Sequence, residues 1–136
     1  FGASLNIGII DSEYTTPEGK KFALPGQSDT NYNASIFYED HGLSARITYR
    51  YRSEWLDETE TGAVFGLSGV YWAPQMRLDA SIRYDLEELT GQKASIFVDL
   101  NNISDESDHR YSGEEWNTNQ VESFGRAFTA GIRYAF

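Results

Sequence analysis

Residues 124–136 read F-G-R-A-F-T-A-G-I-R-Y-A-F, and the last ten of them alternate between two kinds of side chain. One set is apolar: Phe128, Ala130, Ile132, Tyr134 and Phe136. The other set is small or polar: Ala127, Thr129, Gly131, Arg133 and Ala135. Because successive side chains of a β-strand point to opposite faces, this pattern predicts a strand with one apolar and one polar face. An aromatic apolar face is typical of transmembrane β-barrels, whose strands turn apolar side chains to lipid and polar ones inward.

The composition is compatible with one domain and excludes several classes of protein. The chain has 136 residues and no cysteine, so it offers neither a disulfide nor a thiolate metal site. Its net charge of −10 argues against a nucleic-acid partner. No segment approaches the roughly 18 apolar residues of a transmembrane helix. The mean hydropathy of −0.52 is that of a soluble protein, but alternating strands average out in such a value.

The same two-residue period recurs in five earlier segments, so the sequence predicts six strands. These are residues 1–11, 29–39, 43–55, 74–86, 93–101 and 124–136. The connections between them are alternately long and short, as in outer-membrane barrels with long outer loops and short periplasmic turns. Gly42 supplies the positive φ that the short turn at residues 40–42 needs. We therefore predict an all-β fold, an antiparallel up-and-down meander of six strands that forms part of a large transmembrane β-barrel.

Six strands are too few to close a barrel in lipid. The smallest such barrels have about eight strands, and an open edge in hydrocarbon leaves backbone groups unpaired at several kcal/mol each. We expect the chain to be the C-terminal part of a larger barrel. Because an outer-membrane protein is exported, we also expect its natural start to precede Phe1. In a soluble sheet protein, by contrast, Ile47, Ile82 and Ile132 would be buried in a core.

Several sequence elements resemble those of TonB-dependent outer-membrane receptors. LPGQS at residues 24–28 and YNASIFYE at 32–39 resemble the family's "LPG-S…N-S-YE" motif. ARITYRYRS at 45–53 resembles its "AR-YRYRS" strand, and DLNNISD at 99–105 resembles its "NLTD" element. Residues 124–136 resemble its closing strand, "YGRTFTLGVRYKF", which ends a bacterial outer-membrane barrel on Phe. Together these elements span nearly the whole chain.

This resemblance implies a barrel of about 22 strands in the bacterial outer membrane, with a plugged lumen. In that family an N-terminal plug domain fills the lumen and contacts TonB, and energy from the inner membrane moves the plug to admit a scarce ligand, such as a siderophore or carbohydrate. The implied partners are outer-membrane lipid, the protein's own plug domain and, through it, TonB, a small-molecule ligand and the barrel-assembly machinery. That machinery would recognise the C-terminal strand at Phe128, Ile132, Tyr134 and Phe136. Neither the plug nor a cofactor site is expected within these residues.

Charged residues are concentrated at the polar positions of the predicted strands. The lumen- or plug-facing candidates are Arg46, Arg50, Arg52, Arg77, Asp79, Arg83, Asp85, Asp99 and Arg133, together with Glu39. Two interpretations are open for this set. In the first, these side chains contact the plug or the ligand; in the second, they form cross-strand charge pairs inside a wet barrel, each pair worth roughly 0.2–1 kcal/mol.

The predicted loops carry aromatic residues that can stack on a sugar or siderophore ring. The candidate ligand-binding residues are Tyr71, Trp72, Tyr111 and Trp116, and the loops also hold Tyr14, Trp55 and Phe65. The alternative for Trp55 and Trp72 is the aromatic girdle at the membrane interface, and for Trp116 it is packing within the loop.

The sequence contains no motif for catalysis or for a metal site. The acidic residues 105–108 and the pair Glu114–Glu115 do not have the spacing of an EF-hand loop, and His41 and His109 lack a ligand-spaced partner. There is no G-x-S-x-G, P-loop or H-E-x-x-H. We therefore predict no catalytic residues, no metal and no cofactor. A plain outer-membrane porin or channel, an outer-membrane barrel enzyme and a soluble or designed β-sheet protein remain the alternatives.

Overall fold

A computed structural model describes residues 1–15, 17, 19, 21–58 and 69–135 of the chain. Two residues named in the sequence analysis, Phe65 and Phe136, lie outside this described part.

The described residues form β-strands and one helical turn. In chain order they are β1 Gly2–Ile9, β2 Tyr14–Thr15, β3 Lys21–Phe22, β4 Thr30–Asp40, β5 Leu43–Arg52, β6 Trp55–Glu58, β7 Val70–Trp72, β8 Gln75–Asp85, α1 Glu87–Thr90, β9 Ala94–Asn101, β10 Asp108–Ser112, β11 Thr118–Glu122 and β12 Ala127–Tyr134. The six longest strands make one sheet in the order β1-β4-β5-β8-β9-β12, the main sheet. A second sheet, the loop sheet, has the order β11-β10-β7-β6, and β2 pairs with β3. All pairings are antiparallel, so the prediction of an all-β antiparallel fold is confirmed.

The main sheet has two different ends. At the turn end, β4 and β5 join through His41 and Gly42, with φ of 44° and 76°. The positive φ expected at Gly42 is thus present. The connection from β8 to β9 contains α1, which ends at Gly91 with φ of 68° and a hydrogen bond from its N–H to the Glu87 carbonyl. At the opposite end, the loop end, the chain leaves the sheet for the three long connections.

The three long connections contain more regular structure than predicted. They carry β2 and β3, then β6 and β7, then β10 and β11, all in segments that the sequence analysis treated as loops or strand ends. These strands are two to five residues long and pack on one another. At this length they are too short to show the two-residue alternation that identifies the long strands.

One face of the main sheet, the apolar face, is aliphatic and aromatic but not buried. Directly paired residues share a face, and the register aligns Ile36, Ile47, Ala80, Leu100 and Phe128 in one continuous row. Ile47, Ile82 and Ile132 are 55%, 47% and 76% exposed. Within the described residues no element covers this face, and these three side chains are not buried in a core there. No helix among those residues is long and apolar enough to cross a membrane.

The buried apolar side chains lie instead at the loop end. Trp55, Leu56, Val70 and Tyr111 are each 9% exposed or less, and all four belong to the loop sheet. This small core holds the loops together, while the main sheet is built from backbone pairing and side-chain rows.

Two phenylalanines, Phe37 and Phe97, occupy polar positions, and both lie over a glycine of the neighbouring strand. Phe37 is paired with Gly2 and Phe97 with Gly131. A Cβ added to Gly2 would lie 2.2 Å from the Phe37 ring, and one added to Gly131 would lie 2.7 Å from the Phe97 ring. An aromatic ring over a glycine of an outer strand covers exposed backbone and helps to fix the register. The two breaks in the alternation therefore have a structural cause.

Replacing Gly131 with Ala should destabilise the protein, because the new methyl group needs the space of the Phe97 ring. We expect the free energy of unfolding to fall by about 1–3 kcal/mol, as for other overpacked sites. In an F97A background the same substitution should cost much less. Urea unfolding of the protein and of its variants measures both effects. Equal costs in the two backgrounds would show that ring and glycine are not coupled.

Candidate functional site on the polar face and its loops

The second face of the main sheet, the polar face, carries six of the eleven basic residues of the chain. These are Arg46, Arg50, Arg52, Arg77, Arg83 and Arg133. The same face holds the acidic residues Glu39, Asp79, Asp85 and Asp99. Six positive and four negative charges give +2 there, whereas the whole chain has −10. The predicted polar set thus shares one face, and its members differ in what they contact.

Arg52, the last residue of β5, holds the first long connection against the loop end. Its Nε donates to Ser28 Oγ at 2.6 Å, and its Nη2 donates to the Gly26 carbonyl oxygen at 2.6 Å. The guanidinium also lies 3.6 Å from the centre of the Trp55 ring, a cation–π contact. The Gly26 N–H donates to the Leu56 carbonyl at 2.7 Å. This connection is thereby tied both to the main sheet and to the loop sheet.

Arg77, near the start of β8, holds the third long connection. Its Nη2 donates to both carboxylate oxygens of Asp108 at 2.7 Å. The Asp108 side chain is only 8% exposed and that of Arg77 is 22% exposed, so solvent screens this pair far less than a surface pair. Asp108 begins β10, and the ion pair therefore anchors the loop sheet to the main sheet.

Arg50 acts on the same connection through Asp79. One carboxylate oxygen of Asp79 accepts from Arg50, and the other accepts from the Asn102 backbone N–H at 2.9 Å. Arg50 faces Arg77 directly across the strands, and Asp79 relieves this unfavourable opposition of like charges. Arg50, through Asp79, and Arg77, through Asp108, thus both position the third long connection.

Asn102 closes the base of the third long connection. Its Nδ2 donates to the carbonyl oxygens of Glu106 at 3.1 Å and Gly125 at 3.0 Å, while its Oδ1 accepts from the Glu106 N–H at 3.1 Å. Asn102 has φ of 52°, a conformation that Asn adopts more readily than most residues, and it is 7% exposed. A single buried amide therefore joins the two ends of the connection. This residue lies in the DLNNISD element, but the sequence analysis assigned it no role.

The predicted ligand-binding aromatics do not form one cluster. Tyr71 stacks on Tyr111 with ring centres 5.7 Å apart, and Trp72 stacks on Trp55 at 6.0 Å. Tyr111 is 6% exposed, so its ring is part of the loop-sheet core. Trp116 lies in the turn between β10 and β11 and is 79% exposed. Of the four candidates, Trp116 is thus the one that offers most of its ring to a ligand.

Two acidic side chains, Glu54 and Asp57, bond to residues of the loop sheet. The Tyr111 hydroxyl donates to the Glu54 carboxylate, and burial first, then this bond, raises the pKa of Tyr111. Burial, followed by the charge of Glu54, also raises the pKa of Tyr71. Arg110 Nε donates to Asp57 at 2.8 Å and links β10 to β6. Glu54 and Asp57 stand out in the sequence only as members of an acidic segment, which explains why their roles were missed.

Five other charged residues of the polar face, most of them toward the turn end, have no such partners in the described residues. Arg46, Arg83, Arg133, Glu39 and Asp99 form no ion pair within 4 Å with any other described residue. The guanidinium of Arg46 lies 5.2 Å from the Phe37 ring centre. The last acidic residue of the polar-face set, Asp85, accepts a hydrogen bond at its Oδ1 from the Glu87 backbone N–H at 2.9 Å.

The apolar residues named for the C-terminal strand lie together on one face of β12. Phe128, Ile132 and Tyr134 are 71%, 76% and 46% exposed. The Tyr134 hydroxyl donates to Gln92 Oε1 at 2.9 Å, which ties the end of β12 to the turn before β9.

No metal site can be assembled from the part of the chain that the structure describes, since no three His, Asp or Glu side chains there are grouped for it. No family model, curated protein or solved structure matches the chain.

Replacing Asn102 with Asp tests its role at the base of the third long connection. The substitution puts a carboxylate oxygen where Nδ2 now donates to the carbonyls of Glu106 and Gly125, and leaves these acceptors facing negative charge. We expect a local loss of about 1–3 kcal/mol and faster hydrogen exchange in β10 and β11, measured on the complete protein. Asn6→Asp is the matched control, because Asn6 is exposed and its side chain forms no hydrogen bond with the described residues. Equal exchange rates in the two variants would contradict this role.

Proposed function

We propose that the chain is the C-terminal part of the β-barrel of a TonB-dependent outer-membrane receptor, which takes up a scarce small ligand across the outer membrane. In this proposal the apolar face meets lipid and the polar face lines the lumen. The loop end lies outside the cell and the turn end faces the periplasm.

The exposed apolar face is the observation that carries the proposal. Six antiparallel strands present a continuous aliphatic and aromatic surface, and Ile47 and Ile132 are each more than half exposed on it. Burying one such side chain gains about 1.5–3 kcal/mol, so a sheet with this whole face in water would be strongly disfavoured. A bilayer supplies the missing apolar environment, and the opposite face, with its six arginines, suits a wet interior.

The two outer strands support a larger barrel. In the described part of the chain, β1 pairs only with β4, and β12 pairs only with β9. Their outer edges present backbone N–H and C=O groups that need partners in hydrocarbon. Further strands of the same barrel would provide them, and the resemblance to the receptor family predicts about 22 strands in all.

The loop end supports a binding function. Three arginines and one asparagine bond to the first and third long connections, and the turn from β10 to β11 presents Trp116. A rigid platform with an exposed aromatic ring is suited to stacking on a planar or cyclic ligand, because little conformational entropy is lost on binding. The ligand class in this proposal is a scarce nutrient such as a siderophore or carbohydrate.

Arginine placed on adjacent positions of β12 tests which face meets lipid. Ala130 lies on the apolar face and Thr129 on the polar face, and both are exposed. In bilayers, A130R should lower the free energy of unfolding by about 2–4 kcal/mol. T129R, which faces Asp99 directly, should change it by no more than about 0.5 kcal/mol. Equal effects of the two substitutions would mean that the two faces do not meet different media.

Growth of a deletion strain on candidate nutrients tests the transport function. We expect loss of the gene for the complete protein to abolish growth on one scarce nutrient, and loss of TonB to have the same effect. Growth that survives the loss of TonB but needs the protein would indicate a plain porin. Turnover of a substrate by the purified protein would indicate a barrel enzyme.

Replacing Trp116 with Ala should weaken uptake of that nutrient while leaving the protein in the membrane, since the side chain is 79% exposed and has little structural role. Normal uptake by W116A would leave the transport proposal intact and remove this residue from the binding site.

A further inference from the structure

The loop-end half of the polar face contains an open cavity of about 470 Å³, the arginine cavity. Arg50 and Arg77 lie directly opposite each other on β5 and β8 in its lining, and Arg52 lies opposite Gln75 two positions further toward the loop end. These three arginines and the single carboxylate of Asp79 give the lining a net charge of +2. The whole chain carries −10, so the cavity concentrates positive charge in a strongly acidic molecule.

The bonds that these arginines make within the chain leave some of their N–H donors unused. Arg50 bonds through Nη2 alone, so its Nε and Nη1 form no hydrogen bond with the described residues. Arg52 bonds through Nε and Nη2, which leaves Nη1, and Arg77 bonds through Nη1 and Nη2, which leaves Nε. The side-chain amides of Gln75 and Asn101 also form no hydrogen bond within the described part of the chain. Unused donors from β5, β8 and β9 therefore line one cavity.

We propose that the arginine cavity binds a small polyanion, a molecule with at least two carboxylate or phosphate groups. Guanidinium groups match the oxygens of carboxylates and phosphates with paired N–H donors. Side chains directly opposite across two antiparallel strands, as Arg50 and Arg77 are, have Cβ atoms about 5 Å apart. Arg50 and Arg52 are two positions apart on one strand, about 7 Å. Two oxyanion groups at such a separation can each meet an arginine.

This inference rests on the proposed function for one premise, that the polar face lines a wet lumen that solutes enter. It adds the charge of the solute that this wall selects. Trp116 in the third long connection offers stacking, which is indifferent to charge, whereas the arginine cavity offers a charged site with a preferred sign.

Asp79 competes with an anion for the most accessible of the three arginines. The Arg50 side chain is 57% exposed and that of Arg77 is 22% exposed, so Arg50 is the easier one for a solute to reach. Its Nη2 already donates to the Asp79 carboxylate, which neutralises part of the positive charge in the cavity. The affinity for an anion should therefore rise when Asp79 loses its charge.

Calorimetric titration of the complete purified protein with two probe anions tests the site. Citrate presents carboxylates and pyrophosphate presents phosphates, and triethyl citrate is the uncharged control with the same skeleton as citrate. The titrations are made at low ionic strength, because salt screens exposed charges. We expect at least one of the two anions to bind and triethyl citrate not to bind. Citrate alone would identify a carboxylate site and pyrophosphate alone a phosphate site.

Four substitutions separate a defined site from a general effect of charge. Arg50→Gln removes two unused donors, and Gln75→Glu adds a carboxylate opposite Arg52 without removing any bond, so each should weaken anion binding about tenfold. Asp79→Asn should strengthen it about tenfold, a change that damage to the fold would not produce. Arg83→Gln is the matched control, since Arg83 is an exposed arginine of the same face outside the cavity, and it should bind as the unchanged protein does.

Three results would overturn the anion site. The first is that neither anion binds, the second is equal weakening by Arg50→Gln and Arg83→Gln, and the third is weaker binding to Asp79→Asn. The proposed function is judged separately, by Ala130→Arg and Thr129→Arg, whose effects involve no anion. Failure of the anion site together with unequal effects of those two substitutions would leave the proposed function standing.

Discussion

Each long strand of the main sheet presents apolar side chains to one side and polar side chains to the other, and the pairing register keeps these two sets apart across all six strands. A slip of one residue in any pairing would move a whole strand's apolar set to the opposite face. In the apolar row through Ile36, Ile47 and Phe128, these side chains are 66%, 55% and 71% exposed, so the described residues do not bury them in a core. The proposed lipid contact, the proposed wet interior and the proposed further strands all rest on this one constraint.

On the polar face, arginines lie beside one another across the strands, so their like charges need compensation. Arg50 and Arg77 are directly opposed, an arrangement that like charges would disfavour. Asp79 and Asp108 compensate, and in doing so each carboxylate brings part of the third long connection to the sheet. The Arg77–Asp108 pair is mostly buried, and removing one partner would leave a charge without solvent or counter-ion, which is typically far more costly than losing an exposed pair. The same contacts therefore compensate the arginine charges and position the third long connection.

The long strands could be predicted from the sequence because each alternates between apolar and polar side chains over eight to eleven residues, long enough for a two-residue period to stand out. The loop-sheet strands could not, since they are short and pack on one another through Trp55, Val70 and Tyr111, which no periodicity connects. The partners of Arg52 and Arg77 lie 24 and 31 residues away along the chain, so only the fold reveals them. Asn102 was overlooked for a related reason, as its amide contacts are all with backbone atoms.

Asp79 connects the polar face to the loops, and this connection distinguishes the two halves of that face. One carboxylate oxygen of Asp79 accepts from Arg50, and the other accepts from the Asn102 backbone N–H. An anion that drew Arg50 away from Asp79 would therefore leave the negative charge of Asp79 uncompensated at the base of the third long connection. No comparable path begins at Arg46 or Arg83, whose guanidinium groups form no ion pair with the described residues. Arg50 is thus linked to the third long connection by two hydrogen bonds through Asp79, whereas among the described residues no such link begins at Arg46 or Arg83.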